Sequence, residues 1–284
     1  MSVYGAHEAK IYYVQESTYG VTPTNPSMLG IATASDVEPG LDPGLVKVRG
    51  IGSRDLKTVR RGLRQVDLRV AYAIPSDAPI NFLQYVTTLY SMSVEVFYEK
   101  AAGIIDLLHK GVRMDKVTVE CSIEDIVKAT ADLIGQDLAV GTAKITGATY
   151  ADYTGAVPFH ESFVQRGDAS GGGLTAVERC TDWKFTVENN LKRVPVIRST
   201  SGYLLKYLQE RHRIISGEVT FEFESKGEYD DVINDSEFSL KFGLGGSNSA
   251  LFKYVKWEKV GSPTKIEDLV SLKAPFVARD VVIS

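Results

Sequence analysis

The sequence predicts a mainly β protein, an antiparallel β-barrel or sandwich with one or two short helices and long loops. Three observations carry this. Apolar and polar residues alternate with period two along much of the chain, as expected when successive strand side chains point to opposite faces. The runs alternate instead of being continuously apolar, which is the antiparallel signature. The strand–helix rhythm of a nucleotide-binding α/β fold is absent.

The alternation begins clearly at Val66, Leu68, Val70 and Tyr72, with Asp67, Arg69 and Ala71 on the other face. Val117, Val119, Cys121 and Ile123 repeat the pattern, as do Trp183, Phe185 and Val187. Val219, Phe221 and Phe223 follow, then Phe238, Leu240, Phe242 and Leu244. Helical spacing predicts a helix over Ala78 to Tyr90, with Pro79 near its start and Phe82, Tyr85, Val86 and Leu89 on one face. A second helix is expected over Tyr203 to Arg211 and a short helical turn over Glu228 to Asn234. Thr22 to Gly44 holds four prolines and three glycines and reads as a connection. Gly167 to Gly173 (GDASGGG) is turn chemistry near mid-chain.

A faint echo links KVTVE (Lys116–Glu120) to KFTVE (Lys184–Glu188), and Ala131–Ile134 to Arg279–Val282. The chain therefore reads as a single protomer over 1–284, with two related β halves, about 1–147 and 148–284, as an open alternative.

With 284 residues, 44% hydrophobic and 24% charged, the chain is long enough for a large core and ordinary in composition. A net charge of −4 gives no sign of a wholesale nucleic-acid binder. Met1 to Glu8 lacks the basic start and apolar stretch of a signal peptide, and no apolar run reaches the roughly 20 residues that span a bilayer. Synthesis in a cytoplasm is expected, with Cys121 and Cys180 as reduced thiols.

Signals for catalysis are weak. His7, His109, His160 and His212 are scattered, and neither cysteine has a CxxC partner. Gly167-Asp168-Ala169-Ser170-Gly171-Gly172 approaches the GDSGG of trypsin-like proteases, but Ala169 displaces the geometry that an oxyanion hole needs. No phosphate-cradling GxxxxGK[ST] is present. The expectation is no catalytic residue, no metal and no cofactor.

Charge is segregated instead. Leu45–Arg64 carries Lys47, Arg49, Arg54, Lys57, Arg60, Arg61 and Arg64 against Asp55 alone, a net +6. Glu218–Glu237 carries eight carboxylates, among them Glu228, Asp230, Asp231 and Asp235, against Lys226, a net −7. Two solvated surfaces would explain this. So would complementary patches that meet between copies of the chain. Stacking aromatics are not interleaved with the basic run, which argues against a single-strand nucleic-acid site.

Three segments carry a family likeness. Glu16-Ser17-Thr18-Tyr19-Gly20-Val21-Thr22-Pro23 has the form E-x-T-Y-G-x-x-P. Gly111 to Glu120 and Ala131 to Gly135 form a strand and its return. Phe185-Thr186-Val187-Glu188-Asn189-Asn190-Leu191-Lys192-Arg193-Val194 leads, after an interval, into Ser216 to Phe223. Together they resemble the tail tube proteins of long-tailed phages and related viruses. Residues 200–211 depart from that pattern, which has an open loop there. The resemblance implies a tail tube type of β-barrel or sandwich that forms hexameric rings stacked into a hollow tube. It further implies DNA passing through the lumen without sequence-specific binding, a tape-measure protein and tail-end proteins as partners, and a place in the virion tail after assembly in the host cytoplasm. Another self-assembling virion or injection tube, or a soluble β binding module, are the alternatives.

Overall fold

The computed structural model describes residues 3–31, 33–77, 81–101, 103–262 and 270–284. Most strands join a single 17-stranded sheet, which bends into two layers and leaves two small hairpins outside it. The N-terminal part runs β1 (Ala9–Gln15), β2 (Ser27–Gly30), β3 (Ala34–Asp42), the hairpin β4 (Val46–Val48) and β5 (Thr58–Arg60), then β6 (Gln65–Ala73). Helix α1 (Asn81–Thr88) precedes β7 (Met92–Lys100), the long β8 (Gly103–Ser122), β9 (Lys128–Gly135), β10 (Asp137–Gly141) and β11 (Thr149–Ala151). Next come β12 (Val164–Asp168), β13 (Thr175–Ala176), β14 (Cys180–Glu188), the hairpin β15 (Lys192–Val194) and β16 (Tyr207–Gln209), and β17 (Ile214–Glu222). Helix α2 (Gly227–Ile233), β18 (Phe238–Gly243), β19 (Ser249–Trp257), β20 (Ser271–Val277) and β21 (Asp280–Ile283) complete the chain.

The pairings fall into two sets with one order. β1 pairs with β2 and β7, as β12 pairs with β13 and β18. β6 lies between β3 and β9, as β17 lies between β14 and β20. β8 pairs with β7, β9 and β10, as β19 pairs with β18, β20 and β21. The two sets join where β14 pairs antiparallel with the C-terminal part of β8. One layer therefore runs β3-β6-β9-β8-β14-β17-β20 without a break, and among the described residues it does not close on itself.

The echoing segments noted in the sequence do not occupy matching places. KVTVE lies in β8 and KFTVE in β14, which are direct neighbours with Lys116 opposite Glu188. In pairing order β14 matches β3, and β8 matches β19.

β8 serves both layers, and the chain redirects at Gly111 with φ +61°. A Cβ there would stand 2.8 Å from Cβ of Gln136 and 3.2 Å from the Tyr19 ring, so only glycine fits. The core fills the space between layers. Phe185, Phe242, Phe252 and Phe276 are fully buried, with ring centroids 4.9–6.1 Å apart. Each contributes about 1.5–3 kcal/mol by leaving water. Helix α1 packs Phe82, Leu83, Tyr85 and Val86 onto the N-terminal part of this core, beside Tyr13 and Tyr72. The first three residues of the expected helix, 78–80, lie outside the described residues.

Two expectations are corrected. Thr22 to Gly44 is not merely a connection, because it contains β2 and β3. Pro39 is tolerated in β3, which among the described residues pairs on one side only, so a missing N–H can face an open edge. Tyr203 to Arg211 is not helical. Tyr207–Gln209 pairs with Lys192–Val194, and burial of Leu205 and Leu208 against Ile134 overrides the helical spacing. The Gly167–Gly173 turn forms as expected, with Asp168 Oδ1 accepting the amides of Ser170 and Gly172, both at 2.9 Å.

Candidate assembly surfaces

The basic segment folds as the β4–β5 hairpin and its flanks, projecting from the β3–β6 pair. Arg49, Arg54, Lys57 and Arg60 are exposed and make no ion pair among the described residues. The hairpin also exposes Leu45, Val46, Val48, Ile51, Leu56 and Val59. Cations and apolar side chains are thus presented together. At its base Arg61 lies 4.1 Å above the Tyr203 ring, and Arg64 pairs with Asp137.

The acidic segment behaves differently, since each of its four named candidates already holds a cation in its own chain. Glu228 is only 2% exposed and pairs with Arg179. Asp231 takes Arg166 at 2.8 Å and the Trp257 indole N–H at 3.2 Å. Asp230 pairs with Lys226 at 3.2 Å, and Asp235 with Lys256 at 2.7 Å. Glu228 and Asp231 brace the protomer. Asp230 and Asp235 remain on the surface. The basic hairpin and this acidic segment are not brought together within one chain.

A second charged surface was not legible as such in the sequence. The layer β3-β6-β9-β8-β14-β17-β20 buries one face in the core and leaves the other polar. The polar face carries Asp36, Glu38 and Asp42 on β3, Asp67 and Arg69 on β6, and Lys128 and Asp132 on β9. Lys116 and Glu120 on β8, Asp182, Lys184 and Glu188 on β14, Glu218 and Glu222 on β17, and Lys273 on β20 continue it. With Arg113 on β8, opposite Ile134, that makes ten carboxylates against six cations. Cross-strand pairs such as Lys184–Glu120 at 3.0 Å neutralise part of it, and the excess is negative.

Comparison with known proteins decides what such a sheet belongs to. The family model for "Phage tail tube protein" matches residues 6–278. The chain belongs to the phage tail tube protein family. No curated protein matches it. Among solved structures it is similar to a chain of the virion of a native gene transfer agent particle, at 6% identity and a TM-score of 0.37, covering 45% of this chain and 99% of that one. It is similar also to a chain of the tail of an empty gene transfer agent particle, at 8% identity, TM-score 0.37 and the same coverage.

In this tail tube protein the motif residues act as braces. Glu16 is buried and accepts the amides of Gly20 and Gly111 and the hydroxyl of Ser93, each at 2.8 Å. It ties the N-terminal loop to the point where β8 redirects. Asn189 donates through Nδ2 to the carbonyls of Val86 at 2.9 Å and Met114 at 3.1 Å, linking the end of α1 to β8.

Groups that could do chemistry are held in inactive surroundings. Burial pushes the Cys121 thiol up to about 11 and the Cys180 thiol up to about 12, so neither is a thiolate at neutral pH. Burial lowers His109 to about 4, and its Nδ1 faces the Val94 carbonyl at 3.2 Å. The Ser170 hydroxyl donates to Asp168 at 2.7 Å within a turn. These are the surroundings of structural groups, in keeping with the family.

Proposed function

We propose that this tail tube protein joins copies of itself into rings of six tube units, which stack into the hollow tube of a virion tail. The polar face of the long layer lines the lumen, and the β4–β5 hairpin reaches a neighbouring subunit. The observation that carries this reading is that layer: one face is core, the other is polar and net acidic, and among the described residues its end strand β3 is unpaired on its outer edge. A wall of excess carboxylates suits a DNA conduit, because cationic walls would hold phosphate through counterion release. Family membership supports a tape-measure protein in the lumen and tail-end proteins at the tube ends as partners, with assembly in the host cytoplasm. It also supports a purely structural role without catalysis.

Basic side chains mixed with exposed valines and leucines suit an acidic neighbour with an apolar centre. Individual exposed ion pairs contribute only about 0–1 kcal/mol, so the hairpin works through repetition around and along the tube. Arg60→Glu with Arg61→Glu is expected to slow or block polymerisation while the monomer stays folded. High salt should weaken wild-type assembly. A compensating change belongs at Asp230 and Asp235, because Asp231 is tied to Arg166 and Trp257. Negative-stain images give the readout. Dispersed monomers at every concentration of wild type would sink the tube reading, and normal tubes from the reversed variant would sink the role of the hairpin.

A further inference from the structure

We propose that each ring closes through a β-seam between copies: β3 of one chain pairs antiparallel with residues 259–261 of the next, in the register that joins β14 to β8 within a chain. Each chain then supplies two successive tube units, and the junction inside the chain is the template for the junction between chains. This rests on the tube reading above.

The correspondence between the two pairing sets holds residue by residue. Ala34 opposite Tyr72 and Asp42 opposite Gln65 match Cys180 opposite Phe221 and Glu188 opposite Ile214, so β3 maps onto β14 with a shift of 146 residues. Each strand carries a register shift at the same place, at Ser35 and at Thr181. Val112 opposite Met92 matches Val255 opposite Phe238, so β8 maps onto β19 with a shift of 143. Left-handed backbone recurs at matching positions: Gly44 and Asn190 (φ 57° and 51°), Leu89 and Asp235 (both 54°), Gly111 and Tyr254 (61° and 53°). Left-handed non-glycine residues are uncommon, so three coincidences at matched positions point to one repeated plan.

At the internal junction Lys116 lies opposite Glu188, with Nζ 3.8 Å from the carboxylate. Val117 faces Val187, both 0% exposed, and the Thr118 and Thr186 hydroxyls are 3.0 Å apart. The same register applied to the ends of the layer puts Asp42 of one copy opposite Lys259 of the other, Leu41 opposite Val260, and Gly40 opposite Gly261. Residues 259–261 are in place to receive a strand, since Trp257 opposite Phe276 and Gly261 opposite Lys273 align them along β20. Two features then match the template, and one departs from it. The lysine–carboxylate pair is kept with its sign. Leu41 is 50% exposed where its counterpart Val187 is 0% exposed, as expected of a seam residue before closure. The threonine pair becomes a glycine pair on both partners.

The hairpins extend the argument. β15–β16 lies across the first unit, where Leu205 and Leu208 cover Ile134, 9% exposed. Ile134 stands opposite Asp67 and Arg113; its counterpart Val277 stands opposite Ser216 and Lys256 and is 38% exposed. β4–β5 of the next copy is the matching hairpin, so Val277 is the apolar spot it covers. On six units per ring, a ring holds three chains instead of six.

Gly40→Cys and Gly261→Cys test the seam. A Cβ at Gly40 meets nothing closer than 3.4 Å, and one at Gly261 meets nothing within 4 Å. The two single variants are mixed, polymerised, oxidised and run without reductant. Covalent dimers should exceed those of either variant alone by about tenfold or more, as expected of thiols at disulfide distance. The double variant should give a ladder that ends at three chains. Asp42→Lys should block tube formation, and adding Lys259→Glu in the same chain should restore it. Tubes in the micrographs with dimers at background level would overturn the seam and leave the tube standing. A ladder ending at six chains would overturn the two-unit count. No tubes from wild type would overturn the tube reading and the seam with it.

Discussion

Asn189→Ala removes one side chain that bridges three elements, and its cost follows from the atoms it leaves behind. Asn189 is 2% exposed, and its Nδ2 donates to the carbonyls of Val86 and Met114. Val86 sits in the last turn of α1, where carbonyls have no partner within the helix. Alanine leaves two acceptors at a buried position without that donor. Each such loss costs about 1–3 kcal/mol, with carbonyls toward the lower end, so a loss of about 2–4 kcal/mol is expected. That is a large part of the margin of a typical domain. Asn189→Asp should do worse at pH 8, where a carboxylate would face two carbonyl oxygens, and should recover toward the alanine value as pH falls and the acid protonates. Urea unfolding of the unassembled subunit, followed by Trp183 and Trp257 fluorescence, gives the numbers. A loss under about 0.5 kcal/mol, within the range of ordinary surface substitutions, would refute the bracing role. So would an aspartate variant no worse than alanine at pH 8.

Glu16→Ala should cost about 3 kcal/mol or more, because the Gly111 amide and Ser93 hydroxyl lose a charged acceptor. Exchange protection of the Gly20 and Gly111 amides should fall with it, and unchanged protection would contradict the assignment. Asp106 supplies a pH dependence. Burial first, then the neighbouring Glu95 carboxylate, raises it to about 7 from an ordinary value near 3.8. The folded state thus holds a proton that the unfolded state releases, so stability falls as pH rises from about 4 through 7. Asp106→Asn should lift the melting temperature above pH 7 and leave it unchanged below about pH 4; an equal shift at both ends would count against it.

Much of the sheet was readable because the alternation at Val66–Tyr72, Trp183–Val187 and Val219–Phe221 is the pleat itself. β7 escaped notice because both of its faces are covered, from Met92 through Phe97, and alternation vanishes when neither side meets water. The Tyr203–Arg211 helix failed for the opposite reason: its leucines suggest a helical face, but the burial of Leu205 and Leu208 is decided by Ile134, far away in sequence. The charge segregation is plain in the sequence, yet sequence could not show that Glu228 and Asp231 are claimed by Arg179 and Arg166. The repeated plan was hidden most deeply. Matching strands keep register but few identities, so the visible echo fell on β8 and β14, which are neighbours and not counterparts.

The energetics of the seam explain how such a subunit can exist before it assembles. One seam gains a few ladder hydrogen bonds at about 1 kcal/mol each and one exposed ion pair at about 0–1 kcal/mol. Burial of the exposed half of Leu41 adds about 1 kcal/mol. The gross gain, roughly 5 kcal/mol, falls at the low end of the cost of about 4–15 kcal/mol for bringing two bodies together and leaves little or no net affinity for one seam alone. A single pair of chains therefore falls apart. The last seam of a ring is different, because closing it joins bodies already held and repeats no association cost. Hairpins reaching across to the next unit add their contacts at the same step. Assembly should accordingly show a lag and a sharp concentration threshold in light scattering. Pro39 belongs to the same logic: it leaves β3 one donor short, so the open edge is a poor template for indiscriminate strand addition and yet keeps the Leu41 side for its intended partner.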